Sequence, residues 1–174
     1  SRDNDEGESD MILYMQEPAD MRGNAFLVLG HADAEDERWI YIPALHRANK
    51  IVGSGRKGNF MSSDFTYDDI GSPDIDEWTW ELGATSTVDG HACQEVIATP
   101  VSDKIQKDTG LSKVHWFIDA ELKTTRKAEF YDRQGALSRS MEVQKIEMFG
   151  EVPSATDMLM TDIGSGPTSP ITII

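Results

Sequence analysis

Residues 38–70 read RWIYIPALHRANKIVGSGRKGNFMSSDFTYDDI, and no other stretch of the chain narrows the fold as much. Arg38-Trp39-Ile40-Tyr41-Ile42 is a strand pattern with two apolar faces, and Pro43 ends it because proline has no N–H to give a ladder. A basic turn and a second strand over residues 47–52 follow. The Gly53-Ser54-Gly55-Arg56-Lys57-Gly58 spacer then opens into a loop, Phe60 to Asp69, that carries aromatics of a buried type, Phe60, Phe65 and Tyr67, beside Asp64. Residues 62–70 are expected to form a short helix, with Ser62 or Ser63 as cap and acids in its first turn. Asp64 is expected to hold backbone N–H groups of its own loop.

Outward from this block, period-two alternation dominates. Trp78, Trp80 and Leu82 share one face of a strand, with Glu77, Thr79 and Glu81 on the other. Val114, Trp116 and Ile118 alternate with Lys113, His115 and Phe117, and Ala128 and Phe130 with Lys127 and Glu129. Leu137, Met141 and Val143 are in phase while Ile146 and Met148 are one step out, which predicts a bulge near Gln144-Lys145. Asp89-Gly90 marks a tight hairpin, and Asp132-Arg133-Gln134-Gly135 a second turn with Gly in the left-handed region. About ten strands result, over 11–16, 25–30, 38–43, 47–52, 77–83, 91–99, 113–119, 125–131, 136–149 and 152–163, with a last short one over 171–174. Breaks fall between them, one of them over residues 101–110. One wet and one greasy face per strand describes an antiparallel sheet, and something must cover the greasy face.

The chain has 174 residues, a net charge of −15 and a single cysteine. That length fits one domain, here residues 1–174. Phosphate-backbone binding needs the opposite charge, so a nucleic-acid partner is excluded. No apolar run of about 18 residues is present to span a bilayer as a helix. Cys93, in a strand, reads as a small buried hydrophobe. Signatures of zinc hydrolases, thiol redox centres, nucleophile elbows and phosphate-binding loops are all missing. His31, His46, His91 and His115 share no spacing. His31 with Asp33 could hold a metal, although a solvated turn is the far better reading. The run Asp3-Asn4-Asp5-Glu6-Gly7 begins like a calcium loop, but Tyr14 stands where the closing Glu belongs. No metal or cofactor is expected. A hydrolase would require His91 or His115 to meet a carboxylate and a serine.

Two constellations remain. From Leu45 to Ser63 the chain has no acid but carries Arg47, Lys50, Arg56 and Lys57. These read either as an anion or partner patch or as ion-pair partners of acidic loops such as 33–37. Methionines and tryptophans in strands suit an adaptable apolar cavity, and they suit ordinary core packing too.

Several motifs recur in order along the chain. Pro18-x-Asp20-x-Arg22-Gly23 precedes Phe26-Leu27. Arg38-Trp39-x-Tyr41-x-Pro43 precedes Phe60-Met61-x-Ser63-Asp64-Phe65-x-Tyr67-x-Asp69. Val88-x-Gly90-His91-x-Cys93, Thr99-Pro100, Ser112-Lys113-Val114 with Trp116, Ile118 and Asp119, and Ala128-Glu129-Phe130-Tyr131-Asp132 follow. Together they resemble the bacterial outer-membrane lipoprotein-sorting, or LolA-like, proteins. That resemblance implies an α+β, mainly β fold, an open curved antiparallel half-barrel whose covering helix precedes this segment, the segment being cut at both ends. It implies a non-catalytic periplasmic carrier of lipid or lipoprotein acyl chains. Trp39, Tyr41, Trp78, Trp80, Val114, Trp116, Phe130, Met141 and Met158 are then expected to line the apolar cavity. The alternative is an interaction subunit that docks on an inner-membrane lipid or export transporter through Arg47, Lys50, Arg56, Lys57 and the Phe60–Asp69 loop.

Overall fold

The computed structural model describes residues 2–3, 9–31, 34–70, 74–164, 166 and 168–173. Asn4 to Gly7 of the calcium-like run, Asp33 and Ile174 lie outside them. The chain divides into two compact units, residues 1–62 with 66–74, and residues 63–65 with 75–174.

The first unit holds strands β1 (Arg2–Asp3), β2 (Ser9–Tyr14), β3 (Ala25–Leu29), β4 (Glu37–Ile42) and β5 (Arg47–Ile51). They form one antiparallel sheet in chain order. Pro43–Leu45 make a 3-10 turn and His46 takes a left-handed φ of 46°, closing the β4–β5 hairpin. Phe26, Val28, Arg38 and Ile40 are buried. Phe26 meets the rings of Phe60 at 5.3 Å and Tyr67 at 5.8 Å, and those two lie 5.6 Å apart. The two edge-on contacts, Phe26–Phe60 and Phe60–Tyr67, add to the burial of the rings themselves.

The helix expected over residues 62–70 is not there. Phe60–Ser62 is a 3-10 turn, and Met61 and Ser62 have φ of 50° and 62°, which no right-handed helix can contain. The helix of the described residues is instead α1 (Asp103–Thr109), inside a stretch read as a break. Ser102 caps it by accepting from the Ile105 N–H, Asp103 sits in its first turn, Lys107 in its last, and Gly110 closes it at φ 78°. Each of these is a standard helix-end signal, and the segment is merely short.

The second unit holds β6 (Trp78–Val88), β7 (His91–Pro100), β8 (Leu111–Asp119), β9 (Thr125–Asp132), β10 (Leu137–Phe149), β11 (Val152–Asp162) and β12 (Thr168–Thr172). They form an antiparallel meander ordered β12-β11-β10-β9-β8-β7-β6. Among the described residues the edge strands of neither sheet pair with one another, so both sheets are open. Asp89 (φ 50°) and Gly90 (φ 83°) make the expected hairpin, and Asp132 Oδ1 accepts from the Gln134 and Ala136 N–H groups in the turn that Gly135 (φ 82°) completes. The register breaks between Val143 and Lys145, as the phase shift predicts, and breaks back before Ile146. Ile146 therefore stays on the face opposite Val143.

Candidate functional site

Directly opposed residues of an antiparallel ladder lie on one face. Across the second unit one row runs Trp80–Ala98–Val114–Phe130–Arg139. The next runs Leu82–Val96–Trp116–Ala128–Met141–Met160–Ser169. Trp78 lies two residues before Trp80, and Val143–Met158–Ile171 forms a third row. Trp78, Trp80, Val114, Trp116, Phe130, Met141 and Met158 thus share a single apolar face. Small Ala98 and Ala128 alternate with large rings, and both are buried together with Val114, Phe130, Met141 and Met160. At the edge strand the face opens, with Trp80 37% and Leu82 79% exposed.

Arg139 stacks over the Phe130 ring at 4.7 Å, and its Nη1 donates to the Asp64 carbonyl at 3.2 Å. The Asp64 N–H donates to Ser169 Oγ at 3.0 Å, whose hydroxyl donates to Asp64 Oδ2 at 2.6 Å. Phe65 beside it is 1% exposed. Residues 63–65 are therefore held on this face, and Asp64 does not cap its own loop. That task falls to Asp69, whose Oδ2 accepts from the Thr66 N–H at 2.7 Å. Sequence reasoning missed Arg139 and Ser169, because their roles depend on pairings far along the chain. Two donors on the apolar face, Trp116 Nε1 and Thr156 Oγ1, are buried without an acceptor among the described residues.

The opposite face is polar and half-buried. His115 Nδ1 lies 2.7 Å from Glu95 Oε1, and its ring is 4.9 Å from that of Tyr131. The Tyr131 hydroxyl donates to Glu129 Oε2 at 3.1 Å, and Lys127 Nζ sits 2.7 Å from Glu129 Oε1. Burial raises the Glu129 carboxyl, but the hydrogen bonds and charge of Lys127, with Tyr131, leave it below the usual range. Burial, then Glu129, pushes the Tyr131 phenol up. His91 is 3.8 Å from Asp119, and among the described residues no hydrogen bond joins either imidazole to a serine. Cys93 is 2% exposed and free, and burial pushes its thiol up.

Glu95 is placed by a backbone feature. At the β6 bulge its Oε2 accepts from the Ala84 N–H at 3.2 Å. A Cβ on Gly83 would come within 2.2 Å of that oxygen. Gly83→Ala is expected to displace Glu95 from both partners and cost about 1–2 kcal/mol. Urea unfolding reads the loss, and an unmoved His115 ring resonance in the variant would contradict the account.

In the first unit Trp39 and Tyr41 share the face opposite buried Arg38 and Ile40. Trp39 Nε1 donates to Glu37 Oε2 at 2.9 Å, and Lys50 lies 2.7 Å from Glu37 Oε1 and over the Trp39 ring. The four cations differ in their settings. Arg47 and Lys57 are exposed, Lys50 is tied to Glu37, and Arg56 is buried with its Nε 2.8 Å from Asp68. Phe60 and Tyr67 pack in the first unit, Asp64 and Phe65 in the second.

A protein-family model described as "-like: Uncharacterized protein" matches residues 7–173. No curated protein matches the sequence. Among solved structures, a domain assigned to outer membrane lipoprotein sorting from Vibrio parahaemolyticus is similar with a TM-score of 0.82 at 26% identity, covering 92% of this chain and 67% of its own. A DUF1329 family protein from Desulfovibrio piger gives 0.81 at 26% identity with the same coverage, 92% and 67%. A LolA superfamily protein from Nitrosomonas europaea gives 0.65 at 21% identity, covering 92% and 68%, a likeness that bears on the fold alone. The structural relatives are thus lipoprotein-sorting, LolA superfamily and DUF1329 proteins, in line with the resemblance drawn from the motifs.

Proposed function

This chain belongs to the family matched over residues 7–173, and we propose that it is a non-catalytic carrier whose second unit holds lipid or lipoprotein acyl chains against its apolar sheet face. The observation that carries the reading is the register that lines Trp80, Val114, Phe130, Trp116, Met141 and Met158 along one face. Methionines adapt to a flexible chain, and an apolar face of this kind suits one. Each buried methylene contributes about 0.8 kcal/mol, so a long acyl chain is held without bond chemistry and released when an acceptor competes for it. The lipoprotein-sorting relative supports a place in the periplasm, with residues 1–174 acting as one domain.

Trp80 offers the cleanest test, because at 37% exposure it is the most open ring on this face, with its Nε1 donating to the Ile75 carbonyl at 3.1 Å. Trp80→Glu is expected to weaken binding of a fluorescent fatty-acid probe about tenfold or more, while the unfolding midpoint moves little. Equal loss of binding and stability would make Trp80 plain core. Native mass spectrometry of protein purified from the periplasm, followed by organic extraction, identifies the cargo. A mass free of any acyl species, together with no probe uptake, would overturn the proposal.

A further inference from the structure

We infer that the far end of the β10–β11 hairpin is a docking arm, received by an apolar socket of a partner protein that holds a Lys or Arg opposite Glu151. β10 and β11 pair from Arg139↔Asp162 out to Phe149↔Val152. Their outer neighbours stop short of that end. β9 reaches β10 only as far as Glu142, and β12 pairs β11 over Asp157–Thr161. Among the described residues, 145–149 and 152–155 therefore pair with each other alone and project from the sheet as a two-stranded ribbon. At its end Met148, Phe149 and Val152 are 54%, 59% and 62% exposed. Phe149 opposes Val152 on one face, and Met148 opposes Pro153 on the other.

The ribbon does not continue the apolar face of the sheet. Met141 and Val143 hold that face, but the same strand parity past the register break brings Lys145 and Glu147, paired at 2.6 Å. Ile146 and Met148, opposed by Ala155 and Pro153, take the face that is polar within the sheet. The apolar side has changed faces, and at the tip both faces are apolar. Single exposed apolar side chains need no explanation, whereas a contiguous set marks an interaction site. A two-stranded ribbon has no core of its own in which to bury one. A flat partner touches one face, while a socket covers both. A bilayer is the poorer occupant, because the Glu151 carboxylate at the apex would enter the hydrocarbon ahead of the rings. A second copy is disfavoured by the net charge of −15 on each chain. Lys145 is occupied by Glu147, so Glu151 is the charge presented at the end, and the socket that fits it carries a cation.

The test places the photocrosslinker p-benzoylphenylalanine at Phe149 in the full chain, in the cells that make it, and reads adducts by mass. One protein adduct is expected, and Glu151→Lys is expected to reduce it about tenfold. The same crosslinker at exposed Thr87 of β6 is expected to give no such adduct. Position 151 is exposed in the turn, so Glu151→Lys should match the wild type in its unfolding midpoint and in uptake of the fluorescent fatty-acid probe. A lost adduct then reports docking and neither a lesion of the fold nor one of the acyl-binding face. An adduct unchanged by Glu151→Lys, the same adduct from Thr87, an adduct of twice the chain's own mass, a lipid adduct or none at all overturns the inference. Each of these leaves the carrier reading standing, and absence of probe uptake by the wild type overturns that reading without touching the arm.

Discussion

Asp68→Ala is expected to destabilise the protein by about 3–5 kcal/mol, because it removes a carboxylate that two buried guanidiniums share. Arg38 and Arg56 are each 4% exposed. Asp68 Oδ1 lies 2.8 Å from Arg56 Nε and 3.5 Å from Arg38 Nη2. Asp36 is the other carboxylate near Arg38, at 4.0 Å, and Arg38 Nε has no acceptor among the described residues. One carboxylate therefore serves two guanidiniums inside the first unit, beneath the same sheet face that carries Phe26. Asp68→Asn keeps the shape and removes the charge, so an intermediate loss is expected. Urea unfolding followed by tryptophan fluorescence measures both. A loss below about 1 kcal/mol in the alanine variant would place the pair in the class of exposed ion pairs and contradict the burial argument. Charge reversal of Arg56 is a structural lesion for the same reason, so a loss of partner docking in such a variant would not report on docking.

Asp119→Ala should cost about 3 kcal/mol or more, with a pH signature of its own. Asp119 is 2% exposed at the end of β8. Its Oδ1 accepts from the Glu121 and Leu122 N–H groups, both at 2.8 Å, and its Oδ2 from Arg126 Nε at 2.6 Å. The Leu122 N–H above all, then Arg126 and Glu121, lowers the carboxyl to about 2 against the opposing effect of burial. The folded value lies below the ordinary 3.8, so the unfolded state binds the proton first as pH falls. Its contribution is fully present above about pH 4 and is lost as pH falls through about 2. The difference in stability between wild type and Asp119→Ala should hence be constant near neutrality and shrink between pH 4 and 2. A difference that does not change over that window would mean the carboxylate is not what the turn depends on.

The strands were readable because their signal is local. Alternation of Trp78, Trp80 and Leu82, or of Val114 and Trp116, places side chains by parity alone, and Asp89-Gly90 and Gly135 mark turns through the φ they require. Parity even locates the irregularity between Val143 and Lys145. The helix at Asp103–Thr109 was equally local in its caps, Ser102 and Gly110, yet seven residues give too short an apolar period to stand out from a loop. Loop 60–70 failed differently. Its acids and serines resemble a helix start, but positive φ at Met61 and Ser62 bends it so that Phe60 joins Phe26 and Phe65 joins the other unit.

The amino-acid order by itself determined that this is an antiparallel β protein without motifs of catalysis or nucleic-acid binding, since these follow from periodicity, turn chemistry and charge; an open sheet was implied only by the family resemblance. Tertiary structure alone decided which faces coincide. Asp64 meets Ser169 across 105 residues of chain, Glu95 meets His115 across 20, and Arg56 turns inward to Asp68 instead of outward. Strand parity sorts the side chains of one strand into two sets, but only register across neighbouring strands brings Trp80, Val114 and Phe130 into one row. Register is a long-range choice, made by the summed burial of every row at once, and no single window of sequence contains it.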